Sequence, residues 1–382
     1  MPQIGERADM SGKSIQNKRQ FFAVSDVPCE NAFQFLRFAC CMIVIYEHAV
    51  MLTENSFPCL NLRGIAVKIF FILSGFWVTR SFLQSSTIST YALKRVRKIF
   101  PQYAATVILC AVLLFPFSNL GMREYFLNTD FFKYLAANLL TLNFLCPTLP
   151  GVFGGMILDG SVNGSLWTIK VEIGFYIALP FIVFLIKKII SLSSNTSERY
   201  GGGHKRATLL VLCILYTFSA LYEVLMPHIT SRMNLPSALN NQLPAFLSYF
   251  ASGMAFVFFW NELFSRLAYL VLPCTAILVV CSAVSVPFAT AFAVPFCLTV
   301  TVMFFAFTLK PFFSVGKNTD FSYGMYLVHY PLVMCFTALG LFERFWIFAL
   351  FAVLGTSFLC AYLLEIFHKK CMELWNSKEV RI

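Results

Sequence analysis

From residue 33 onward, long apolar runs alternate with short polar stretches. Runs of about 20 mostly apolar residues, the length that crosses a bilayer as a helix, lie near 33–53, 64–83, 100–119, 165–187, 207–226, 244–260, 267–286, 288–309, 321–340 and 344–367. The pattern predicts an all-α protein, a polytopic membrane helix bundle of about ten transmembrane helices, because an isolated segment in lipid satisfies its backbone groups only as a helix. A weaker eleventh run spans 131–148. Residues 1–32 are polar and carry Arg7, Lys13, Lys18 and Arg19, with no apolar core and cleavage site of the signal-peptide kind. They are expected to form a cytoplasmic tail.

Charge decides the eleventh run. Cytoplasmic loops collect Lys and Arg. With ten spans and both termini cytoplasmic, most of the 29 basic residues fall inside, in the N-terminal tail, in 80–98, in 187–206 and in the C-terminal tail. Arg63, Lys68, Arg123, Lys133, Arg232 and Arg344 fall outside. A crossing at 131–148 would invert every later loop and erase this asymmetry, so that run is expected to be re-entrant or to lie on the outer surface. The net charge of +11 then reflects topology, and nucleic-acid binding is not needed to explain it.

Composition agrees. The chain is 58% hydrophobic and 12% charged, about half the charge of a soluble domain, so lipid is the expected surrounding for most of it. The 13 cysteines lie mostly inside apolar runs and form no CxxC or Cys/His cluster, so no metal site is expected. Cys59 and Cys146 both fall in expected external segments and are candidates for a disulfide. No internal repeat of the kind found in many secondary transporters is visible.

Ionisable groups inside spans are costly and therefore mark candidate functional positions. Arg37 and His48 are eleven residues apart in the first run. A helix turns by about 1100° over that interval, which leaves them roughly 20° apart on one face and about 16 Å apart along the axis. Glu172 lies at a depth similar to His48, and a carboxylate beside an imidazole fixes its tautomer for general-base work. Trp167 is either part of the site or an interfacial anchor. His329, beside Pro331, either lines the same cavity or serves as a structural hydrogen-bond partner. The basic run Lys94-Arg95-Val96-Arg97-Lys98 reads as a cytoplasmic loop whose arginines suit the phosphates of an anionic nucleotide such as coenzyme A. Ser74-Gly75 interrupts the second run where a thin thioester arm would pass. Lys170 has no evident role, and Glu365 reads as structural.

These residues fall into an ordered set of motifs: Arg37-x10-His48, Phe70-Phe71-x-Leu73-Ser74-Gly75-Phe76, Arg95-x-Arg97 before Ile99-Phe100-Pro101, Gly164-Ser165-Leu166-Trp167 before Val171-Glu172 and Phe175-Tyr176, Ser322-Tyr323 through His329-x-Pro331, and a last span ending near Glu365. From about residue 31 to 370 the set resembles the acyltransferase family 3 membrane proteins, integral-membrane O-acetylases of bacterial surface polysaccharides and related acceptors. The resemblance implies a transmembrane acyltransferase domain over 33–370, a cytoplasmic tail at 371–382, and a multi-pass position in a bacterial inner membrane. It implies acetyl-CoA or another acyl-CoA as donor from the cytoplasm, and a hydroxyl of a surface polysaccharide or its lipid-linked precursor as acceptor on the outer side. His48 is the implied catalytic residue, with Glu172 expected to orient it. Arg37, Ser74, Arg95 and Arg97 are expected toward the donor, and Trp167, Tyr176 and His329 toward the acceptor. The chain departs from the family pattern at Ile173-Gly174 and at Ile366-Phe367. It carries no esterase-like domain beyond the spans, so transfer is expected to finish in the membrane domain or on a partner. Two other classes stay open: a transporter or flippase for a lipid-linked saccharide, with Arg37, His48 and Glu172 lining its path, and a scaffolding subunit of a polysaccharide assembly complex.

Overall fold

The computed structural model describes residues 28, 30–53, 62–156, 160–192, 203–284, 286–312 and 319–379. The expected tail at 1–32 falls almost entirely outside them, as does Cys59 of the candidate disulfide. Among the described residues there are thirteen α-helices and no strands: α1 Phe33–Leu52, α2 Arg63–Gln84, α3 Ile88–Leu113, α4 Met122–Phe126, α5 Thr129–Leu139, α6 Trp167–Leu192, α7 Gly203–Arg232, α8 Leu243–Phe258, α9 Trp260–Phe264, α10 Leu267–Val284, α11 Pro287–Thr308, α12 Phe321–Ala338 and α13 Leu341–Glu379. Each of the ten expected spans overlaps one of these helices, the third shifted toward the N-terminus, with Ile88–Leu113 against the expected 100–119. The protein is an all-α, polytopic helical bundle.

Eight of the ten are long and apolar enough to cross a bilayer. The other two are α8 and α12. Helix α8 has 16 residues, about 24 Å of rise, and twelve of its residues are buried. Helix α12 gives up apolarity to Ser322, His329 and three tyrosines. Lipid-facing character is plain elsewhere: Phe181, Leu272, Phe348 and Phe351 are each more than two-thirds exposed, an arrangement that only an apolar solvent stabilises.

Three local results differ from the sequence pattern or sharpen it. The weak run at 131–148 forms only the eleven-residue α5 followed by turns. That helix rises about 16 Å, too little for a hydrocarbon core of about 30 Å. The basic run at 94–98, expected as a loop, is the first part of α3. Lys and Arg are good helix formers, and Thr87 Oγ1 accepts the Thr90 backbone N–H at 3.0 Å to start the helix. Helix α13 likewise continues to Glu379, through most of the segment expected as a tail.

The chain divides into two compact units, and four of the five boundaries between them fall inside α1, α2, α3 and α6. The first comprises Met1–Phe33, Lys68–Lys94 and Val171–Phe312. At its centre α2 crosses α8 at two glycines. A Cβ on Gly75 would lie 2.2 Å from the Phe250 carbonyl oxygen, and one on Gly253 2.2 Å from the Ile72 carbonyl oxygen. Glycine thus lets the backbones touch, which is how membrane helices gain contact without a hydrophobic driving force. Phe175 stacks on Phe250 beside this crossing, centroids 4.3 Å apart.

The second unit comprises Gln34–Val67, Arg95–Lys170 and Phe313–Ile382. Here α1 and α12 run parallel, tied at two levels: Arg37 to Asp320 at 3.1 Å and His48 to His329 at 2.8 Å. The segment between α3 and α6 is closed by the Asn119 N–H donating to the Gly151 carbonyl and by Asn138 Nδ2 donating to the Cys146 carbonyl at 2.9 Å.

Interior prolines recur in the long helices, and each deprives the carbonyl four residues earlier of its donor. Pro180 frees the Tyr176 carbonyl, and the Tyr91 hydroxyl donates to it at 3.0 Å. Pro331 frees the Leu327 carbonyl, and Asn163 Nδ2 donates to it at 2.7 Å. Next to Pro295, the Tyr216 hydroxyl inserts into the helical ladder, donating to the Phe292 carbonyl and accepting from the Phe296 N–H. Since lipid supplies no donors, side chains from elsewhere in the chain satisfy these carbonyls.

Candidate functional site

The candidate residues form two groups, one in each unit. In the second unit, His48 and His329 sit on α1 and α12 and are 7% and 0% exposed. Their rings stack with centroids 5.0 Å apart, and His48 Nδ1 lies 2.8 Å from His329 Nε2. His329 Nδ1 lies 2.8 Å from the Tyr326 carbonyl oxygen and 3.3 Å from that of Met325. Tyr330 packs its ring edgewise against His48 at 5.4 Å. The sequence reading left His329 between a cavity residue and a structural partner; the structure makes it the hydrogen-bond partner of His48.

Residues of and around the Gly-Ser-Leu-Trp motif, at the entry to α6, buttress this pair. Asn163 Nδ2 holds the Leu327 carbonyl, Ser165 Oγ donates to Asn163 Oδ1 at 2.6 Å, and Thr168 Oγ1 meets the Tyr326 hydroxyl at 2.9 Å. Gly164 is required by close approach, since a Cβ there would lie 2.8 Å from the Tyr330 ring. Trp167 begins α6 directly after these residues. Glu47, next to His48 and buried, accepts the Leu62 N–H at 3.2 Å ahead of α2.

Eleven residues before His48, Arg37 is paired rather than snorkelling. Its guanidinium meets Asp320 at 3.1 Å, and the Ser322 hydroxyl donates to the same carboxylate. Burial pushes the Asp320 carboxyl up, but the Arg37 and Lys98 charges more than offset this and hold it below its ordinary value. The sequence reading missed Asp320. Its position just ahead of a span, two residues before Ser322, was the available signal. Arg95 and Arg97 lie on the first turns of α3, and the Arg97 guanidinium sits 4.8 Å over the Trp375 ring. Gln102 Nε2 donates to Glu365 Oε2 at 2.9 Å. Lys170, left without a role by the sequence, lies 4.7 Å over the Phe144 ring.

In the first unit, Ser74, Glu172 and Tyr176 form one hydrogen-bonded group. The Tyr176 hydroxyl donates to Glu172 Oε1, and Ser74 Oγ donates to the same oxygen at 3.5 Å. Glu172, expected to orient His48, accepts both of these hydroxyls, and His48 Nδ1 lies against His329 Nε2. The sequence reading also missed a pair here: Lys68 Nζ meets Glu223 Oε1 at 2.9 Å and lies 4.9 Å from the Tyr249 ring centroid. Among the described residues no three His, Cys, Asp or Glu side chains converge as metal ligands would.

Fold and site together define a multi-pass helical membrane protein with buried polar pairs between its spans. The family model described as the acyltransferase domain matches residues 30–366, which takes in every one of these groups except Trp375. The chain belongs to this acyltransferase family. It is similar to nodulation protein 10 of Rhizobium leguminosarum bv. viciae, 30% identical over 166 residues that cover 40% of this chain and 44% of the relative. It is similar also to an O-acetyl transferase of Shigella phage Sf6, 25% identical over 185 residues, covering 44% and 54%. A third relative, acyltransferase MdmB of Streptomyces mycarofaciens, is 27% identical over 129 residues, covering 34% and 30%. The chain thus spans between 30% and 54% of the length of these relatives. No solved structure matches it.

Proposed function

We propose that the protein transfers an acyl group, acetyl in the first instance, from acyl-CoA on the cytoplasmic side to a hydroxyl of a surface polysaccharide or its lipid-linked precursor, in a bacterial inner membrane. The observation that carries this reading is His48, buried in a span and held by a second histidine, within the region that defines the family. In the proposed reaction His48 takes the proton of the acceptor hydroxyl as its oxygen attacks the thioester carbonyl. The C–S bond then breaks, and the coenzyme A thiolate takes that proton from the imidazolium and leaves as the thiol. Arg95 and Arg97 hold the donor phosphates, and Arg37, kept in place by Asp320, serves the donor as well. Trp167, at the start of α6, stands toward the acceptor.

The test replaces His48 by Ala, verifies insertion at wild-type level, and measures O-acyl groups on purified surface polysaccharide by NMR. An Arg95→Ala/Arg97→Ala variant runs beside it. Loss of acylation in both, with polysaccharide still exported, is the expected result. Acylation that persists without His48, or export that fails with it, would sink the reading, the second result in favour of a flippase.

A further inference from the structure

The histidine pair carries more information than proximity. We propose that His329 is a positioning residue that holds His48 as the Nδ1–H tautomer and leaves Nε2 as the reacting nitrogen. The inference rests on the catalytic reading of His48 and specifies which of its atoms acts.

The argument runs from the backbone outward. A carbonyl oxygen only accepts, so the short contact from His329 Nδ1 to the Tyr326 carbonyl, 2.8 Å, requires the hydrogen on Nδ1. A carbonyl has two lone pairs and therefore takes this bond in addition to a helical one. A neutral imidazole carries one ring hydrogen, so His329 Nε2 presents a lone pair. His48 Nδ1 lies 2.8 Å from that nitrogen. Two lone pairs at this distance repel, so His48 Nδ1 carries the hydrogen and donates it. The lone pair of His48 then sits on Nε2. With the two rings 7% and 0% exposed, water has little access to supply an alternative partner, and a buried ring nitrogen left unpaired is costly.

The consequence for the reaction is direct. Nε2 is the nitrogen that removes the proton from the acceptor hydroxyl. As it becomes positive, the Nδ1–H bond to His329 strengthens, because a charged donor binds a neutral acceptor better than a neutral donor does. When the thiolate takes the proton from Nε2, the pair returns to its starting arrangement. The opposite tautomer would aim a hydrogen at the acceptor hydroxyl and set two lone pairs against each other. His329 thus does for His48 what a carboxylate does elsewhere, without placing a negative charge in the membrane.

The experiment uses the full-length protein in detergent, labelled with 15N-histidine. Only five histidines are present, and His48→Ala identifies the His48 resonances. The expected spectrum shows His48 protonated at Nδ1 and unprotonated at Nε2. In His329→Leu that preference is lost, kcat falls at least about 10²-fold, the contribution of a well-placed general base, and KM for the acyl donor is unchanged. His329→Gln, which restores an acceptor oxygen, recovers part of kcat. A wild-type His48 protonated at Nε2, or an unchanged tautomer in His329→Leu, overturns the relay even where His48 is essential. Acylation that survives His48→Ala overturns the catalytic reading instead, and with it the reacting role of Nε2. Should His329→Leu not fold, the wild-type spectrum and the Gln variant decide alone.

Discussion

The Asn163–Leu327 bond offers a quantitative test of how the bundle tolerates proline. Pro331 removes the donor that the Leu327 carbonyl would have in a regular helix, and Asn163 Nδ2 replaces it at 2.7 Å. Asn163 is 6% and Leu327 0% exposed, so water has little access. An unpaired buried carbonyl costs about 1–3 kcal/mol. Interhelical bonds in membrane proteins measure less, about 0.6 kcal/mol on average and about 1.7 at most, because the membrane-embedded unfolded state finds other partners. Asn163→Ala also removes the acceptor of the Ser165 hydroxyl at 2.6 Å, so the single substitution is expected to cost about 2 kcal/mol. Pro331→Ala gives the Leu327 carbonyl a backbone donor again. In that background Asn163→Ala is expected to cost about 0.5–1.5 kcal/mol less, and this difference is the coupling between the two positions. The four proteins would be unfolded by SDS titration in mixed micelles. If the two costs add to within about 0.3 kcal/mol, the normal scatter of independent sites, then Asn163 does not substitute for the missing proline hydrogen bond and the reasoning fails.

Three further outcomes are expected. Gly253→Ala places a methyl group 2.2 Å from the Ile72 carbonyl oxygen, a backbone atom that cannot swing away, so the α2–α8 crossing should open at a cost of about 2–3 kcal/mol. Gly355→Ala, with nothing within 4 Å, should be neutral or slightly stabilising in the same titration. The Asp320 carboxyl, held below its ordinary value by Arg37 and Lys98, should contribute stability that is fully present above the unfolded value of about 4 and is lost as pH falls through the lower folded value. The stability gap between wild type and Asp320→Asn should therefore be flat from about pH 9 to pH 5 and narrow only below pH 4; a gap that narrows already near pH 6 would contradict the pairing.

Much of this protein was legible along the chain, because the features in question are local. Whether a stretch can cross a bilayer depends on its own length and apolarity, so each of the ten apolar runs falls on a helix and eight of those helices have the length and apolarity to cross. The shortness of α5 agrees with the charge argument that kept 131–148 from crossing. The exception at 94–98 is local too: helix propensity and the Thr87 cap carried the basic run into α3, where a topological rule about loops says nothing of conformation. Arg37, His48, Glu172 and His329 stood out singly because a charge or imidazole in lipid is conspicuous wherever it falls.

Pairing was not legible. Arg37 finds Asp320 across 283 residues, His48 finds His329 across 281, and Asn163 finds Leu327 across 164. Depth along a span, which suggested Glu172 as the group orienting His48, carries no information about the contact that His48 makes with His329. Helices α1 and α12 are neighbours because the packing of α12 brings both Asp320 and His329 to one face of α1. The sequence alone determined which residues are too polar for lipid. Only the tertiary structure decided which of them satisfy one another, since a hydrogen bond acts over about 3 Å and is set by the packing of helices distant in the chain.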